Sequence, residues 1–248
     1  MEFISGLVSV SFRRLSVDEI IRITKLSGLS AIEWGGDIHS PAGNLEIAHA
    51  TGDATRRAGL FIPEYGSYLT LGKSDAEYSR DVVRSARALG TNTVRIWAFD
   101  KNRQNTSPEE YSKVVDHARM LCDENSDFTF CLECHNRTLT ENYRDAIAFI
   151  KDVDRENLGM FWQPNQFCTH EYNVEALTAL LPYVRSVHVF AWEKEKKLPL
   201  EAHKSQWSDY LEILKQSKKE KVYLMLEFMY DDSPDSLQYE AKALNGWL

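Results

Sequence analysis

The chain has 248 residues and a formal net charge of −8, with 43% hydrophobic, 11% aromatic and 27% charged side chains. That is a globular composition, long enough to bury a core without disulfides or a structural metal, and it excludes a fibrous or disordered chain. The 37 acidic residues against 29 basic ones also argue against a general duplex-DNA binder, which needs a basic face to neutralise phosphates.

Apolar runs and helix-period stretches alternate from end to end. Phe3–Ser9 is a predicted strand, and Ser16 with Glu19 three residues later marks a capping box for a helix that runs to Gly28. Ala31–Trp34 is the second strand, followed by a helix from Asn44 to Gly59. Leu60–Tyr65 is the third, with a helix from Ser74 to Gly90; both helices end at a glycine suited to a left-handed cap. After the fourth strand, Thr93–Trp97, the run Ser107-Pro108-Glu109-Glu110 supplies a cap, a proline at the first helical position and acids at the positive dipole end. Phe128–Cys134 is the fifth strand, and a helix opens at Thr140 with Tyr143 and Ile147 following. Leu158–Gln163 precedes a helix over Glu171–Leu181, and Arg185–Phe190 precedes one over Lys204–Gln216. Val222–Glu227 is the eighth strand, and Ser233-Pro234-Asp235 starts the last helix, which reaches Trp247.

Alternating strands and helices imply a mostly parallel sheet. Eight of each predict a single (β/α)8 TIM-barrel domain over residues 1–248, a fold of roughly 250 residues. An open doubly wound sheet would carry a glycine-rich phosphate turn after its first strand, and no such pattern follows Gly6. No apolar run of 18 residues or more is present, so no transmembrane helix is expected, and Met1–Arg14 does not read as a signal peptide. The four scattered cysteines fit a reducing cytoplasm. Cys131-x-x-Cys134 is a lone CxxC inside a predicted strand, where residues three apart face opposite ways. The basic clusters Lys194–Lys197 and Lys218–Lys221 are interleaved with Glu and read as solvated surface.

Barrel strands bury both faces, so their polar residues are the informative ones, above all at the C-terminal ends where this fold builds its sites. They are Glu33, Glu64, Arg95, Glu133, Gln163, His188 and Glu227, separated by 31, 31, 38, 30, 25 and 39 residues. Period-two alternation sends Phe128, Phe130 and Leu132 towards the helices and Glu133 into the barrel, with His135 following on the same side. The same reasoning turns Gln163, His188 and Glu227 inward. Bare carboxylates at close range repel one another. A divalent cation resolves this, and oxygen ligands with one nitrogen suit Mn²⁺, Mg²⁺ or Co²⁺, with Zn²⁺ as a further choice. The inert alternative is a buried ion network in which Arg95 pairs with Glu64 or Glu33.

These stretches resemble a known family. Ala31-Ile32-Glu33-Trp34, Val94-Arg95-Ile96-Trp97-Ala98, Leu132-Glu133-Cys134-His135, Ser186-Val187-His188-Val189 and Leu224-Met225-Leu226-Glu227-Phe228, in this order and spacing, are similar to the xylose isomerase-like TIM-barrel superfamily (the AP endonuclease family 2-like group), in its sugar phosphate isomerase and epimerase branch. The resemblance spans nearly the whole chain. It implies one divalent metal, Mn²⁺ first, held by Glu133, Gln163, His188 and Glu227. It also implies a metal-dependent isomerase or epimerase of a sugar or polyol, with Glu133 and Glu227 as the acid/base pair. One carboxylate would remove the proton alpha to a carbonyl to give a cis-enediolate, and the other would return a proton. His135 resembles a position lining the substrate site. Arg95, Glu64, Gln166, Lys194 and Trp97 are further substrate contacts, and Phe190 and Trp192 could add to an apolar wall. Two positions depart from the family pattern: Gln163 stands where the family has a metal Asp, and Gln166 where a His is expected. Lys194 matches the family's basic residue after the seventh strand only loosely.

The partner expected is therefore a small carbohydrate or polyol, with no nucleic acid and no membrane, and a homo-oligomer is compatible. An inosose dehydratase-like lyase shares the enolate step, and a sugar-binding relative without catalysis is motivated by Gln163. A repair nuclease similar to endonuclease IV would need a multi-zinc cluster, against which the charge of −8 and only 7 His residues argue.

Overall fold

The computed structural model describes residues 1–248. In chain order the elements are β1 (Glu2–Val8), α1 (Val17–Leu26), β2 (Ala31–Gly35), α2 (Leu45–Arg57), β3 (Tyr65–Thr70), α3 (Ala76–Leu89), β4 (Thr93–Trp97), α4 (Pro108–Glu124) and β5 (Thr129–Glu133). They continue with α5 (Tyr143–Val153), β6 (Leu158–Trp162), α6 (His170–Leu180), β7 (Val184–Val189), a hairpin of β8 (Trp192–Glu193) and β9 (Lys196–Lys197), α7 (Lys204–Leu214), β10 (Lys221–Leu226) and α8 (Pro234–Asn245). Eight strands close in the spatial order β1-β10-β7-β6-β5-β4-β3-β2. Every pairing in the ring is parallel, and β1 closes it by pairing with both β10 and β2. This is a (β/α)8 TIM barrel.

Local sequence explains the helix ends. The capping boxes at Ser16 and Ser107 both form, with Glu19 and Glu110 reaching back to the cap backbone. Each such cap contributes about 1 kcal/mol. Gly90 ends α3 in the left-handed conformation, at φ 95°. The start of α5 differs from expectation: Asn142 caps it, and Thr140 instead donates its hydroxyl to the carbonyl of Glu133.

The third strand is the main correction. Leu60–Tyr65 was expected, whereas β3 begins at Tyr65. Pro63 has no N–H to give to a ladder, and Phe61 makes only a lone bridge to Ala31. Glu64 therefore lies before the strand, at the N-terminal end of the barrel, not at its mouth. The β8–β9 hairpin was also not expected. Its strands are two residues each, inside the Lys/Glu cluster, and Lys194 makes the turn at φ 56°. The hairpin is tied down at three points. Lys194 N–H donates to the Gln166 carbonyl (3.1 Å), Trp192 Nε1 donates to the Phe228 carbonyl (3.2 Å), and Lys197 pairs with Asp232.

Alternation sorts the strand side chains into two layers. Trp34, Ile96, Phe130, Leu132, Met160, Trp162, Val187 and Leu224 face outward and are fully buried beneath the helices. Trp162, for example, meets Trp207 and Tyr210 of α7 edge-on. Burying such a side chain contributes about 1.5–3 kcal/mol. Inside the ring lies a small apolar group, Ile4, Val8, Val10, Ala31 and Met225, and Phe161 meets His188 edge-on there. Much of the remaining interior is polar. Gly66 in β3 makes this fit, because a Cβ there would collide with the Glu33 carboxylate and crowd Arg95. No helix is long and apolar enough to cross a membrane.

Candidate active site

Glu133 ends β5, His188 lies near the end of β7, and Glu227 directly follows β10. One ligand atom from each lies within 4.8 Å of the others. Gln163, the first residue after β6, completes the group. Its amide nitrogen donates to the Cys134 carbonyl (2.8 Å), which turns Oε1 towards His188 Nδ1 (3.1 Å). His188 Nδ1 also sits 3.3 Å from Glu227 Oε2. Its other nitrogen, Nε2, is held by Glu33 at 2.8 Å. A carboxylate behind an imidazole fixes its orientation and raises its basicity as a ligand.

Arg95 runs through the barrel below this group. Its Nε donates to Glu33 Oε1 (3.0 Å) and its Nη1 to Glu133 Oε2, which also accepts from Trp97 Nε1. Burial works against the Glu133 charge, but Arg95 and His188 outweigh it and hold the carboxyl at about 2. Burial likewise opposes the charge on Glu33, which His188 and Arg95 hold below the usual carboxylate range. Burial disfavours a charged His188, yet Glu227 and Glu33 raise it well above its ordinary value. Deeper still, Glu64 accepts from the Ser186 hydroxyl (2.8 Å). Burial and the Glu33 charge push it well above the usual carboxylate range.

This donor set fits a divalent cation. Three carboxylates, Glu33, Glu133 and Glu227, face one guanidinium, so two negative charges remain once the imidazole is neutral. Two carboxylate groups, one imidazole nitrogen held from behind and one amide oxygen make a mixed hard-donor set.

The cavity above the group has a volume of about 290 Å³. Of the residues expected from sequence, Arg95, Trp97, Glu133, His135, Gln163, Gln166 and Glu227 line it. Trp97 stacks on His135, with ring centres 5.1 Å apart. His135 Nδ1 lies 2.8 Å from the Asn136 carbonyl, so as donor it leaves Nε2 free. Three expectations change. Glu64 is sealed in the barrel floor, away from the cavity, because the strand begins at Tyr65 rather than Leu60, which puts Glu64 before its N-terminal end instead of near its C-terminal end. Arg95 touches the cavity, but its ion pairs to Glu33 and Glu133 occupy it, leaving it poorly placed to bind substrate. Lys194 lines a neighbouring cavity, shared with Gln166, Phe190 and Trp192, because it sits at the hairpin turn.

Among the wall residues that sequence reasoning missed are Arg13, Tyr68 and Glu141. Arg13 follows the first strand in Ser11-Phe12-Arg13, a strand-end position that could have been flagged. Tyr68 was hidden by the misplaced third strand. Glu33 was recognised as polar, but its place behind His188 had no sequence signature.

A 3-dehydroshikimate dehydratase of Bacillus anthracis is 25% identical over 169 residues, covering 62% of this chain and 59% of that protein. The match thus spans less than two thirds of that relative. A solved structure described as the probable 3-DHS dehydratase of Bacillus anthracis aligns over 98% of this chain and 99% of its own, with a TM-score of 0.82 and 20% identity. The D-psicose 3-epimerase of Clostridium cellulolyticum H10, solved with D-tagatose, aligns over 98% and 97%, with a TM-score of 0.69 and 13% identity. These structural likenesses are likenesses of fold. The model of the family described as xylose isomerase-like TIM barrel matches residues 21–247, and the chain belongs to that family.

Proposed function

We propose that the protein is a metal-dependent enzyme that removes a proton beside the carbonyl of a small polyhydroxylated compound and then expels a hydroxyl as water. The observation that carries the first step is the convergence of Glu133, His188 and Glu227, with the Gln163 oxygen, at the floor of an open cavity. The preference for water loss is supported by the dehydratase matched in sequence. We also assign the whole site to one barrel domain, residues 1–248, because all its residues come from one ring of strands.

A divalent cation held by Glu133, Gln163, His188 and Glu227, Mn²⁺ by preference, supplies Lewis-acid stabilisation of negative charge on the substrate oxygen. The two carboxylates are unequal. Glu133 has one oxygen pinned by Arg95 and Trp97 and stays charged, so it serves first as an anchor. Glu227 is held only from the His188 side and borders the cavity, which suits it to take the alpha proton. Once protonated, Glu227 would pass that proton to the departing hydroxyl, which leaves as water, while Glu133, within 4.8 Å, stays the second carboxylate of the site. Trp97 and Phe190 add apolar faces to the cavity wall.

Epimerisation or isomerisation is the second reading, favoured by two carboxylates on one cavity and by the fold likeness to D-psicose 3-epimerase. One experiment separates the two. The Mn²⁺-loaded protein is incubated in D₂O with ketoses, aldoses, inososes and 3-dehydroshikimate. A product lighter by one water supports dehydration. Deuterium uptake without mass loss supports epimerisation. Neither exchange nor water loss with any of them, or full activity in excess chelator, refutes the metal-assisted proton transfer.

The departure at Gln163 gives a second expected result. Gln163→Asp adds a charge to the ligand set and tightens Mn²⁺ binding about tenfold or more. A calorimetric titration of the metal-free protein measures it, and unchanged affinity would place Gln163 outside the ligand set.

A further inference from the structure

We propose that Arg13 is a recognition residue for a carboxylate on the substrate, so that the site selects an acidic hydroxy-ketone over a neutral sugar. This inference rests on the functional reading above and names its substrate class.

Arg13 stands on the wall of the cavity that Glu227 also lines. It is half-exposed, but it is not loose. Its Nε donates to Asp37 Oδ2 (2.7 Å), its Nη1 to the Val10 carbonyl (3.1 Å) and its Nη2 to the Tyr68 hydroxyl (2.9 Å). Tyr68 donates in turn to the same Asp37 oxygen (3.2 Å). The guanidinium also lies 5.8 Å from the centre of the Phe228 ring, the residue after Glu227. Phe228 itself is held in the left-handed region, at φ 47°, with its N–H donating to Ser11 Oγ (2.9 Å). A solvent-facing ion pair alone contributes little to folding. Here a backbone carbonyl and a tyrosine hydroxyl are added, and together they fix the orientation of a group that faces a cavity.

A guanidinium has five N–H donors. Three are used, which leaves one on each terminal nitrogen. Two donors in one plane match the two oxygens of a carboxylate. The rest of the cavity makes Arg13 decisive. Its other lining carboxylates, Glu133, Glu141 and Glu227, repel an anion, and Arg95 is committed to Glu33 and Glu133. Glu141 is fixed near the opening by the Arg137 N–H (2.8 Å). Arg95 is already neutralised by two carboxylates, so the arrangement favours an acidic substrate with its carboxylate towards Arg13 and its carbonyl towards the floor. One guanidinium with no backbone cradle suits a carboxylate better than a phosphate.

The test is binding of shikimate and of its neutral methyl ester to the Mn²⁺-loaded full chain, followed by tryptophan fluorescence. The wild type is expected to bind the acid about tenfold or more tighter than the ester. Arg13→Gln brings the two within about twofold, while Arg13→Lys, which keeps the charge but not the fork, falls between. Tyr68→Phe, which keeps Arg13 but loosens it, also lowers the ratio. Circular dichroism confirms that each variant is folded. An unchanged ratio in Arg13→Gln overturns the proposal, and so does a wild type that shows no preference or binds neither compound. The solvent-deuterium experiment separates the two layers. Arg13-dependent binding without exchange or water loss refutes the proton-transfer reading alone. Exchange or water loss with 3-dehydroshikimate and its methyl ester alike, independent of Arg13, refutes the carboxylate assignment alone.

Discussion

Glu227→Gln and Glu133→Gln each reduce turnover by about 10²–10⁴-fold, the usual contribution of a positioned acid or base, and both variants remain folded. They are expected to fail differently. Glu227 touches His188 and borders the cavity, with no other side chain recorded on it, so its amide removes proton transfer and lowers kcat with a smaller change in metal affinity. Glu133 is fixed by Arg95 and Trp97, and its charge is part of what a cation would meet. Its amide therefore lowers Mn²⁺ affinity first, and excess metal recovers part of the activity. Steady-state kinetics over a metal series reads both effects. Full activity in either variant sinks the acid/base assignment.

Arg95→Met destabilises the metal-free protein by about 3–5 kcal/mol, the usual effect of removing one partner from a buried ion pair. Arg95 is wholly buried between Glu33 and Glu133. Without it two carboxylates face each other inside the ring with only His188 to offset them. At about 2–4 °C per kcal/mol for a chain of this size, Tm falls by roughly 10 °C. Urea and thermal unfolding measure this. A change within about 0.5 kcal/mol, typical of a surface site, would show that the network is not under that electrostatic load.

Much of this was legible in the sequence for a physical reason. Parallel barrel strands are buried on both faces, so a charged residue within one is exceptional and its direction follows from period-two alternation. That logic located Glu133, Gln163, His188 and Glu227. It failed at Glu64, where the apolar run Leu60-Phe61-Ile62 resembled a strand and Pro63 decided otherwise. It also could not assign pairings. Whether Arg95 served substrate or structure depended on Glu33 lying one strand pair away, across the gap left by Gly66. Arg13 and Tyr68 stayed hidden because they act at strand ends and through contacts between distant segments. The hairpin was illegible for a similar reason: four residues of ladder leave no periodicity to read.

The hairpin has a consequence for motion. Its ties to Gln166, Phe228 and Asp232 lash together the loops that follow β6, β7 and β10. That half of the rim can shift only as one body, on the slow timescale of breaking several bonds together. The opposite half is tied differently: Arg13, Tyr68, Trp97 and His135 are joined side chain to side chain, and the Leu139 N–H donates to the Ala98 carbonyl (2.8 Å) to tie the loops after β4 and β5. An incoming ligand thus meets two braced rims, one lashed through the hairpin and one buttressed mainly by side chains.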